Sequence, residues 1–357
     1  MAHLSKRQAM VLALYSFGMA MTGRCGLTTI VTFLSLLLDE SPVRLRQRLR
    51  EWNYEAAQKR GHKRQAIDVS HSFAPLLRWL LNDWPTPTHL PLAMDVTYLG
   101  ERFTVLAISV VYRGCAIPVA WRVLRGNTKG EWHPVWVELL GCLKPAVPRQ
   151  WTVYVLTDRG LYSKRLFRVL SKLGWHPLMR IRTQGLARRE RAKSWKPLAR
   201  LARPGMGVWC QRMVCFKGDP LVCTLLVQWD ALYDEPCLIV TDLPPAQVKP
   251  NLYALRTWIE AGFKDLKRGG LRWEQTKMTD PARADRLWLV MAVTLLWLIR
   301  VGGEVQSTWQ QVSQRFSLPA TLSCPMLGWL SLLTQALKHQ PLPHGRFIPH
   351  DWHKAPG

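Results

Sequence analysis

The sequence predicts an α/β protein in which a mixed sheet follows an N-terminal α-helical bundle and is interrupted by a β-rich insertion. Two observations predict this fold class. Apolar residues recur at helical spacing up to about residue 80, and beyond residue 90 they form short runs with period two. The elements that follow have the order βββαβαβ and then helices, which is typical of an antiparallel meander continued by parallel strands with crossover helices.

The composition indicates a large and strongly basic protein. The chain has 357 residues with 48% apolar residues, so it can form more than one structural unit and bury a real core. Its formal net charge is +25 and its pI is near 10.3. This excess of positive charge attracts a polyanion, of which nucleic acid is the commonest, and an anionic membrane surface is the alternative.

A helical N-terminal domain is predicted over residues 1–82, and Ser41 before Pro42 is a typical helix start. Within it, "RLRQRLREW" and "KRGHKR" form a dense basic surface. This surface is either a DNA-contacting face or a solvated helix face, and the overall charge favours DNA. The predicted helices of this domain are 5–21, 26–39 and 42–60.

After a linker at 83–91, residues 90–182 are predicted to form the first part of the core. This order matches a ribonuclease-H-like mixed sheet, in which the first and fourth strands are adjacent and parallel. The predicted strands are 92–99, 102–112, 115–124, 152–158 and 177–182. The predicted helices are about 131–144 and 162–173.

The rest of the chain divides into the β-rich insertion 183–248, a helical second part of the core at 249–302 and a tail at 303–357 with an irregular end. The insertion is predicted to contain strands 207–216, 221–229 and 236–242. The second part of the core begins with a long helix from residue 251. It continues with an apolar helix at 283–300, in which "LWLVMAVTLLWLI" is shorter than the roughly 20 residues that span a bilayer. We therefore predict a buried helix and no membrane partner.

Four of the eight cysteines lie in strand-like runs, and the chain has no C-x2-C pair. This pattern favours buried free thiols over a zinc site. No convincing secretion signal is present, and free thiols fit a reducing cytoplasm. The four clustered cysteines are Cys210, Cys215, Cys223 and Cys237.

Two aspartates occupy positions that suit metal binding or catalysis. Asp95 lies within the apolar strand "AMDVTYL", where an acid is costly unless it is paired or binds a metal. Asp158 ends the strand "VYVLTD", and functional groups of α/β sheets gather at the carboxyl ends of strands. Because these are the first and fourth strands of the predicted sheet, the two acids can share one cation.

A third acid, Glu260, lies on the helix predicted from residue 251. On an α-helix, Tyr253, Arg256, Glu260, Lys264 and Lys267 fall within a sector about 80° wide, next to a separate apolar sector. Glu260 with Lys264 could be a simple salt bridge. Three acids on one fold instead favour a site for two Mg²⁺ ions, which stabilise the attacking and leaving oxygens of phosphodiester chemistry.

Four of these residues fit the spacing Y-x2-R-x3-E-x6-K, namely Tyr253, Arg256, Glu260 and Lys267. This spacing resembles the signature of DDE transposases from bacterial cut-and-paste insertion sequences. "DVTYL" around Asp95 and "LTDRG" around Asp158 are similar to the first and second acidic motifs of that family, and the β-rich insertion matches as well. The resemblance covers about residues 90–300.

The resemblance implies a nuclease and strand transferase that acts on the ends of its own element through a hairpin intermediate. Asp95, Asp158 and Glu260 would hold two Mg²⁺ ions, which Mn²⁺ could replace. The other signature residues, together with Lys264 on the same face, would bind DNA phosphates. Trp229 on the insertion, with Trp209 as second choice, would hold a flipped base.

The implied partners are the terminal inverted repeats and target DNA, bound as double strands by a dimer on paired ends in the bacterial nucleoid. Two alternatives remain open. The chain could be a ribonuclease-H-like nuclease that cuts but does not join, or a catalytically inactive DNA-binding protein derived from a transposase. A basic membrane-surface protein is disfavoured, because no long amphipathic helix with a basic face is found in the sequence.

Overall fold

The chain divides into two compact units. The computed structural model describes residues 3–61, 64–84, 89–126, 128, 132–312 and 322–349. The first unit contains the described residues of Met1–Pro87, Val96–Arg149 and Trp258–His350, and the second contains those of Thr88–Asp95 and Gln150–Thr257. Part of the predicted linker (85–88) and the end of the predicted irregular tail (350–357) lie outside the described residues.

The α-helices are α1 (Lys6–Thr22), α2 (Leu27–Leu38), α3 (Pro42–Trp52), α4 (Ser70–Asn82), α5 (His133–Leu143), α6 (Lys164–Lys172), α7 (Trp258–Leu266), α8 (Pro281–Val312) and α9 (Cys324–Leu337). The strands are β1 (His89–Leu99), β2 (Phe103–Tyr112), β3 (Cys115–Arg125), β4 (Thr152–Thr157), β5 (His176–Ile181), β6 (Leu186–Arg189), β7 (Lys196–Pro197), β8 (Trp209–Cys215), β9 (Leu221–Gln228) and β10 (Cys237–Thr241).

The N-terminal helices of the first unit follow local sequence signals. Ser5 caps the N-terminus of helix α1: its hydroxyl accepts from the backbone N–H of Gln8, while the Gln8 side chain accepts from the Ser5 backbone N–H. Gly23 ends α1 with φ +61°, a conformation that glycine adopts without strain. Helix α2 then leaves at 99° to α1. The capping residues Ser5 and Gly23 therefore set where α1 begins and where it ends before the chain turns into α2.

The core of the first unit is built on the antiparallel hairpin β2–β3, and every residue of β2 is buried. Helices α7 and α8 pack against β3. The buried guanidinium of Arg286 on α8 donates to the carbonyl oxygens of Asn53 and Ile67 at 3.0 and 3.1 Å and also pairs with Glu55. Because a buried charge is costly unless it is paired, these bonds tie the segment after α3 to α8.

Helix α8 is long and apolar enough to cross a membrane, as is the bent α1–α2 pair by the same criterion of length and composition. The prediction of a short helix at 283–300 was therefore wrong in length, since α8 has 32 residues. Its predicted burial is confirmed, because 72% of its most apolar window lies inside the protein. Core packing thus accounts for the apolar residues of α8.

The second unit contains a large mixed sheet with strand order β1-β4-β5-β10-β9-β8-β6-β7. Strands β1, β4 and β5 are parallel, as predicted for the first, fourth and fifth strands. Strand β10 pairs antiparallel with β5, so the strands of the predicted insertion continue this sheet. The free cysteines Cys215 and Cys223 are buried on β8 and β9, as expected for strand thiols, whereas Cys210 and Cys237 are partly exposed.

Two predicted helices end or break earlier than expected. The helix predicted at 42–60 ends at Trp52, where Leu45, Leu49 and Trp52 complete its buried face. The long helix predicted from residue 251 is also wrong, because Pro250–Thr257 is a 3₁₀ helix and α7 begins only at Trp258. Tertiary contacts of the 3₁₀ segment, described below, replace regular α-helical geometry there.

Candidate active site

Two of the predicted acids occupy adjacent register positions on neighbouring strands of the sheet in the second unit. Strands β1 and β4 are parallel, and their last paired residues are Met94 and Thr157. Asp95 and Asp158 each follow that pair by one position. The register therefore places Asp95, within β1, next to Asp158, which directly follows the carboxyl end of β4, where α/β sheets place functional groups.

The Asp158 carboxylate is oriented by its own turn. One of its oxygens, Oδ1, accepts hydrogen bonds from the backbone N–H groups of Gly160 and Leu161, both at 3.0 Å. A Cβ atom on Gly160 would lie 3.4 Å from both carboxylate oxygens. The chain thus closes tightly around Asp158 as β4 ends, and this turn holds the carboxylate in one orientation.

The 3₁₀ segment Pro250–Thr257 is anchored to β1 at Asp95 and to the end of β4 at Thr157. The Tyr253 hydroxyl donates to the Thr157 carbonyl at 2.9 Å. Arg256 Nη2 lies 3.3 Å from Asp95 Oδ2, and both side chains are 15% exposed. A 3₁₀ helix has three residues per turn, so Tyr253 and Arg256 share one face. Both residues therefore contact the sheet edge that carries the two aspartates.

Burial raises the pKa of Tyr253 well above its ordinary value of 10, although the positive charges of Arg256 and Arg180 oppose this effect. The phenol therefore remains protonated at neutral pH and acts as a hydrogen-bond donor, not as a base. This state agrees with its bond to the Thr157 carbonyl. Tyr253 thus holds the end of β4 in place in this structure.

The third predicted acid, Glu260, belongs to the first unit and lies exposed in the first turn of α7. The adjoining face of α7 buries Ile259 and Phe263, and α7 packs against β3. A Cβ atom on Gly262 would lie 2.8 Å from Ala116 Cβ, so only glycine allows this close approach. The packing of α7 therefore leaves Glu260 on the accessible side, as predicted.

The two signature-region lysines of the first unit differ in environment. Lys264 is exposed, whereas Lys267 is half-buried. The Lys267 ammonium donates to Thr97 Oγ1 at 2.6 Å and to the Tyr98 carbonyl at 2.8 Å. Burial lowers the pKa of Lys267 below its ordinary value. Lys267 therefore stabilises the end of β1, a structural role that the sequence did not indicate.

The predicted aromatic residues lie in the second unit. Trp229 follows β9 and is partly exposed, and its indole N–H donates to the Tyr233 carbonyl at 2.8 Å. Trp209 begins β8 and donates to the Leu201 carbonyl at 3.2 Å. The loop after Trp229 also exposes Leu232. Trp229 therefore lies in the loop between β9 and β10, one residue beyond the observed end of a strand that was predicted to extend to residue 229, and its contact with a base remains a prediction.

The donor chemistry of the two aspartates fits a hard divalent cation, since Mg²⁺ prefers carboxylate oxygens. No three His, Cys, Asp or Glu side chains are grouped so as to hold a metal ion within the described part of the chain. The assignment of Asp95, Asp158 and Glu260 as metal ligands therefore stays a prediction.

The sequence also presents basic residues on α3, where Arg44, Arg46, Arg48 and Arg50 are exposed while the leucines between them are buried. Arg48 pairs with Glu40 at 3.4 Å, both partly exposed, and such a surface pair contributes little to stability. The basic face predicted for the N-terminal bundle is therefore present and accessible. Both the DNA-contacting and the solvated interpretation agree with it.

The structure buries one acid, Asp265, whose burial the sequence did not predict. Asp265 on α7 is only 7% exposed, and burial raises its pKa to about 7. Its Oδ1 accepts from the Ser323 hydroxyl at 3.3 Å, while its Oδ2 is buried without a hydrogen-bond partner. On the helical pattern Asp265 falls outside the apolar sector, so nothing local signalled its burial.

These features define a mixed α/β protein with two aspartates at adjacent positions of two parallel strands, one within β1 and one directly after β4. Residues 131–297 match the family model described as the transposase DDE domain. The matched segment contains Asp158 and the whole signature from Tyr253 to Lys267, and it begins after Asp95. No curated protein matches the sequence.

Among solved structures, the chain is similar to a piggyBac transposase in a synaptic complex with hairpin DNA, with 11% identity and a TM-score of 0.43, covering 94% of this chain and 72% of that one. It is also similar to Kluyveromyces polysporus Argonaute with a guide RNA, with 13% identity and a TM-score of 0.24, covering 82% of this chain and 37% of that one. Both TM-scores are below 0.5, so neither similarity identifies a function.

Proposed function

We propose that this protein is a DDE transposase that cleaves the ends of an insertion sequence and joins them to target DNA in a metal-dependent reaction. The observation that carries the proposal is the placement of Asp95 and Asp158 at adjacent positions of the parallel strands β1 and β4, with Tyr253 bonded to Thr157 and Arg256 paired with Asp95. The match of residues 131–297 to the transposase DDE domain supports it independently.

In the proposed reaction, Asp95, Asp158 and Glu260 would hold the catalytic metal ions. Bound Mg²⁺ supplies charge stabilisation for the attacking and leaving oxygens of an in-line phosphodiester displacement, and Mn²⁺ can take its place. The turn at Gly160 keeps the Asp158 carboxylate oriented before substrate arrives. Such preorganisation reduces the cost of assembling the site during the reaction.

The basic residues have a separate task in this proposal, which is to hold the DNA backbone. Arg256 and Lys264 carry positive charge close in sequence to the acids, and the chain as a whole has a net charge of +25. Lys267 can contribute to phosphate binding if DNA displaces its bonds to β1. We further propose a hairpin intermediate, a base held by Trp229, and a dimer on paired ends within the bacterial nucleoid.

The test uses a DNA fragment that carries the gene with its own genomic flanks, incubated with the purified chain and Mg²⁺. Denaturing gels resolve nicked strands, hairpin ends and products joined to a labelled target plasmid. The proposal expects both cleavage and joining. Cleavage without joining would identify a nuclease, and binding without either reaction would identify an inactive DNA-binding protein.

A pair of matched variants makes this test specific. Asp158→Ala should abolish cleavage while it retains DNA affinity, because it removes a metal ligand and no positive charge. Asp234→Ala removes an exposed acid from a loop of the same unit and should leave cleavage unchanged. Equal activity of the two variants would contradict the assignment of Asp158.

A further inference from the structure

A cavity of about 240 Å³ in the second unit is lined by three arginines, Arg159, Arg180 and Arg182. Thr183, Gln184 and Glu235 complete its polar wall. A water molecule occupies about 30 Å³ of liquid, so the cavity has room for a phosphate group together with several waters. The cavity is therefore large enough for a hydrated anion, and its lining includes three guanidinium groups that can bind one.

The charge of this cavity is unbalanced. Glu235 pairs with Arg159 at 2.7 Å, and both side chains are more than half exposed, at 56% and 52%. Among the described residues, no acid lies within ion-pair distance of Arg180 or Arg182. Three guanidinium groups against one carboxylate leave two uncompensated positive charges in one concavity. The positive charges of these guanidinium groups repel one another unless a bound anion compensates them.

The position of the cavity connects it to the paired aspartates. Arg159 directly follows Asp158, and Arg180 and Arg182 lie at the carboxyl end of the neighbouring strand β5. Strands β4 and β5 are parallel, so their carboxyl ends lie at the same edge of the sheet. The charge of Arg180 also acts on Tyr253, which is bonded to the end of β4. The cavity and the aspartates thus share one edge.

We propose that Arg159, Arg180 and Arg182 form a binding site for a backbone phosphate of the DNA strand that reaches Asp95 and Asp158. This inference rests on the proposed function, since it assigns the DNA a path along the sheet edge. Guanidinium groups bind phosphate oxygens through two parallel hydrogen bonds. The exposed pair between Arg159 and Glu235 does not prevent this, because such pairs contribute little and exchange readily for a phosphate.

The experiment compares two double variants of equal charge. Arg180→Ala with Arg182→Ala removes two charges from the cavity. Arg149→Ala with Lys172→Ala removes two exposed charges that precede the amino ends of β4 and β5. Affinity for a fluorescein-labelled DNA duplex is measured without divalent metal over a range of NaCl concentrations. The slope of the logarithm of affinity against the logarithm of salt counts the phosphates that the protein neutralises.

The cavity variant should lower this slope by about 1, as expected when one phosphate contact is lost, and the control should leave it unchanged. Arg182→Ala alone affects only an exposed side chain and should lower the slope by about 1. Equal slopes for the cavity variant, the control and the unmodified chain would overturn the site. Urea unfolding midpoints of all variants show that the comparison is made on folded protein.

Two further results separate this inference from its premise. If the unmodified chain cleaves and joins DNA while the cavity variant keeps its slope, the site is wrong and the proposed function stands. If the slope falls but no cleavage or joining occurs, the site stands and the proposed function fails. Inorganic phosphate should displace the duplex no better than NaCl of equal ionic strength. Displacement by low concentrations of phosphate would reassign the cavity to a free anion.

Discussion

Arg256 Nη2 lies 3.3 Å from Asp95 Oδ2 at the edge where β1 meets β4, and each side chain is 15% exposed. This ion pair joins a residue of the Y-x2-R-x3-E-x6-K signature to the first acidic motif. In a largely buried setting, the pair compensates a carboxylate that an apolar strand would otherwise disfavour. Arg256 is therefore a partner of Asp95 in the structure as well as a candidate phosphate ligand.

The contribution of this ion pair to the stability of the folded protein can be measured directly. Arg256→Ala should lower the free energy of unfolding by about 1–3 kcal/mol, because Asp95 then loses its cation in a poorly solvated place. Asp95→Asn should reduce that penalty, so the double variant should lose less than the sum of the single variants. Urea denaturation of the four proteins gives the coupling energy. Strict additivity would show that the two side chains do not interact in solution.

The three predicted acids can be tested as metal ligands. Asp95→Asn, Asp158→Asn and Glu260→Gln should each reduce DNA cleavage by at least about 100-fold, the scale on which one catalytic electrostatic group acts. Glu138→Gln changes an acid exposed on α5 and serves as the control. Cleavage rates with saturating DNA measure the effect. Normal cleavage by Glu260→Gln would remove Glu260 from the proposed site and leave the two aspartates.

Metal dependence follows from the chemistry of those acids. Cleavage should require Mg²⁺ or Mn²⁺ and stop in a chelator. Ca²⁺ should permit DNA binding without cleavage, because it accepts looser coordination than the octahedral geometry that Mg²⁺ enforces. Gel shifts and cleavage assays on the same DNA separate the two effects. Full cleavage in the presence of the chelator would contradict the proposed role of the acids.

Lys267 is expected to contribute more to the stability of the folded protein than Lys264 does. Lys267→Met removes the bonds to Thr97 Oγ1 and the Tyr98 carbonyl, and should lower the free energy of unfolding by about 1–3 kcal/mol. Lys264→Met, at an exposed position, should change it by less than about 0.5 kcal/mol. Urea unfolding measures both. If the two variants are equally stable, the bonds of Lys267 to β1 contribute nothing in solution.

The Lys267→Met variant also tests whether Lys267 binds DNA in addition to its structural role. If Lys267 also contacts a phosphate, Lys267→Met should lower the salt slope of DNA affinity by about 1, and Arg256→Ala should do the same. The measurement is a titration of labelled duplex at several NaCl concentrations. An unchanged slope in both variants would show that neither side chain touches the DNA backbone.

The buried carboxyl of Asp265 predicts a pH dependence of stability. Burial raises its pKa from 3.8 to about 7, so the folded protein binds this proton more tightly than the unfolded chain. The resulting stabilisation is complete below about pH 4 and is lost as the pH rises through 7. Asp265→Asn cannot ionise, and it should lose about 2 kcal/mol less stability between pH 5 and pH 8 than the unmodified chain.

Urea unfolding at the two pH values checks this prediction, with Asp234→Asn in an exposed loop as the control. Burial also raises the pKa of Asp285 to about 7, so the Asp265 variant should keep part of the dependence. A pH dependence equal to that of the unmodified chain would show that Asp265 is already ionised in the folded protein at pH 5.

Several features of the fold and site could be predicted because their signals are local. The period-two runs that contain Asp95 and Asp158 predicted β1 and β4, and the element order predicted that these strands pair in parallel. The apolar spacing around Ile259 and Phe263 predicted which side of α7 is buried, and hence that Glu260 is exposed. Alternation and helical spacing depend on nearby residues alone.

The sequence by itself determined the identity of the acids, the spacing of the signature and the positive charge that draws the chain toward DNA. Only the tertiary structure decided that the helix breaks before Trp258, because the bonds of Tyr253 and Arg256 to distant strands favour a 3₁₀ segment there. It also decided the burial of Asp265. Both outcomes depend on residues far apart in sequence, whose contacts outweigh local helical preference and leave no periodic signal in the chain.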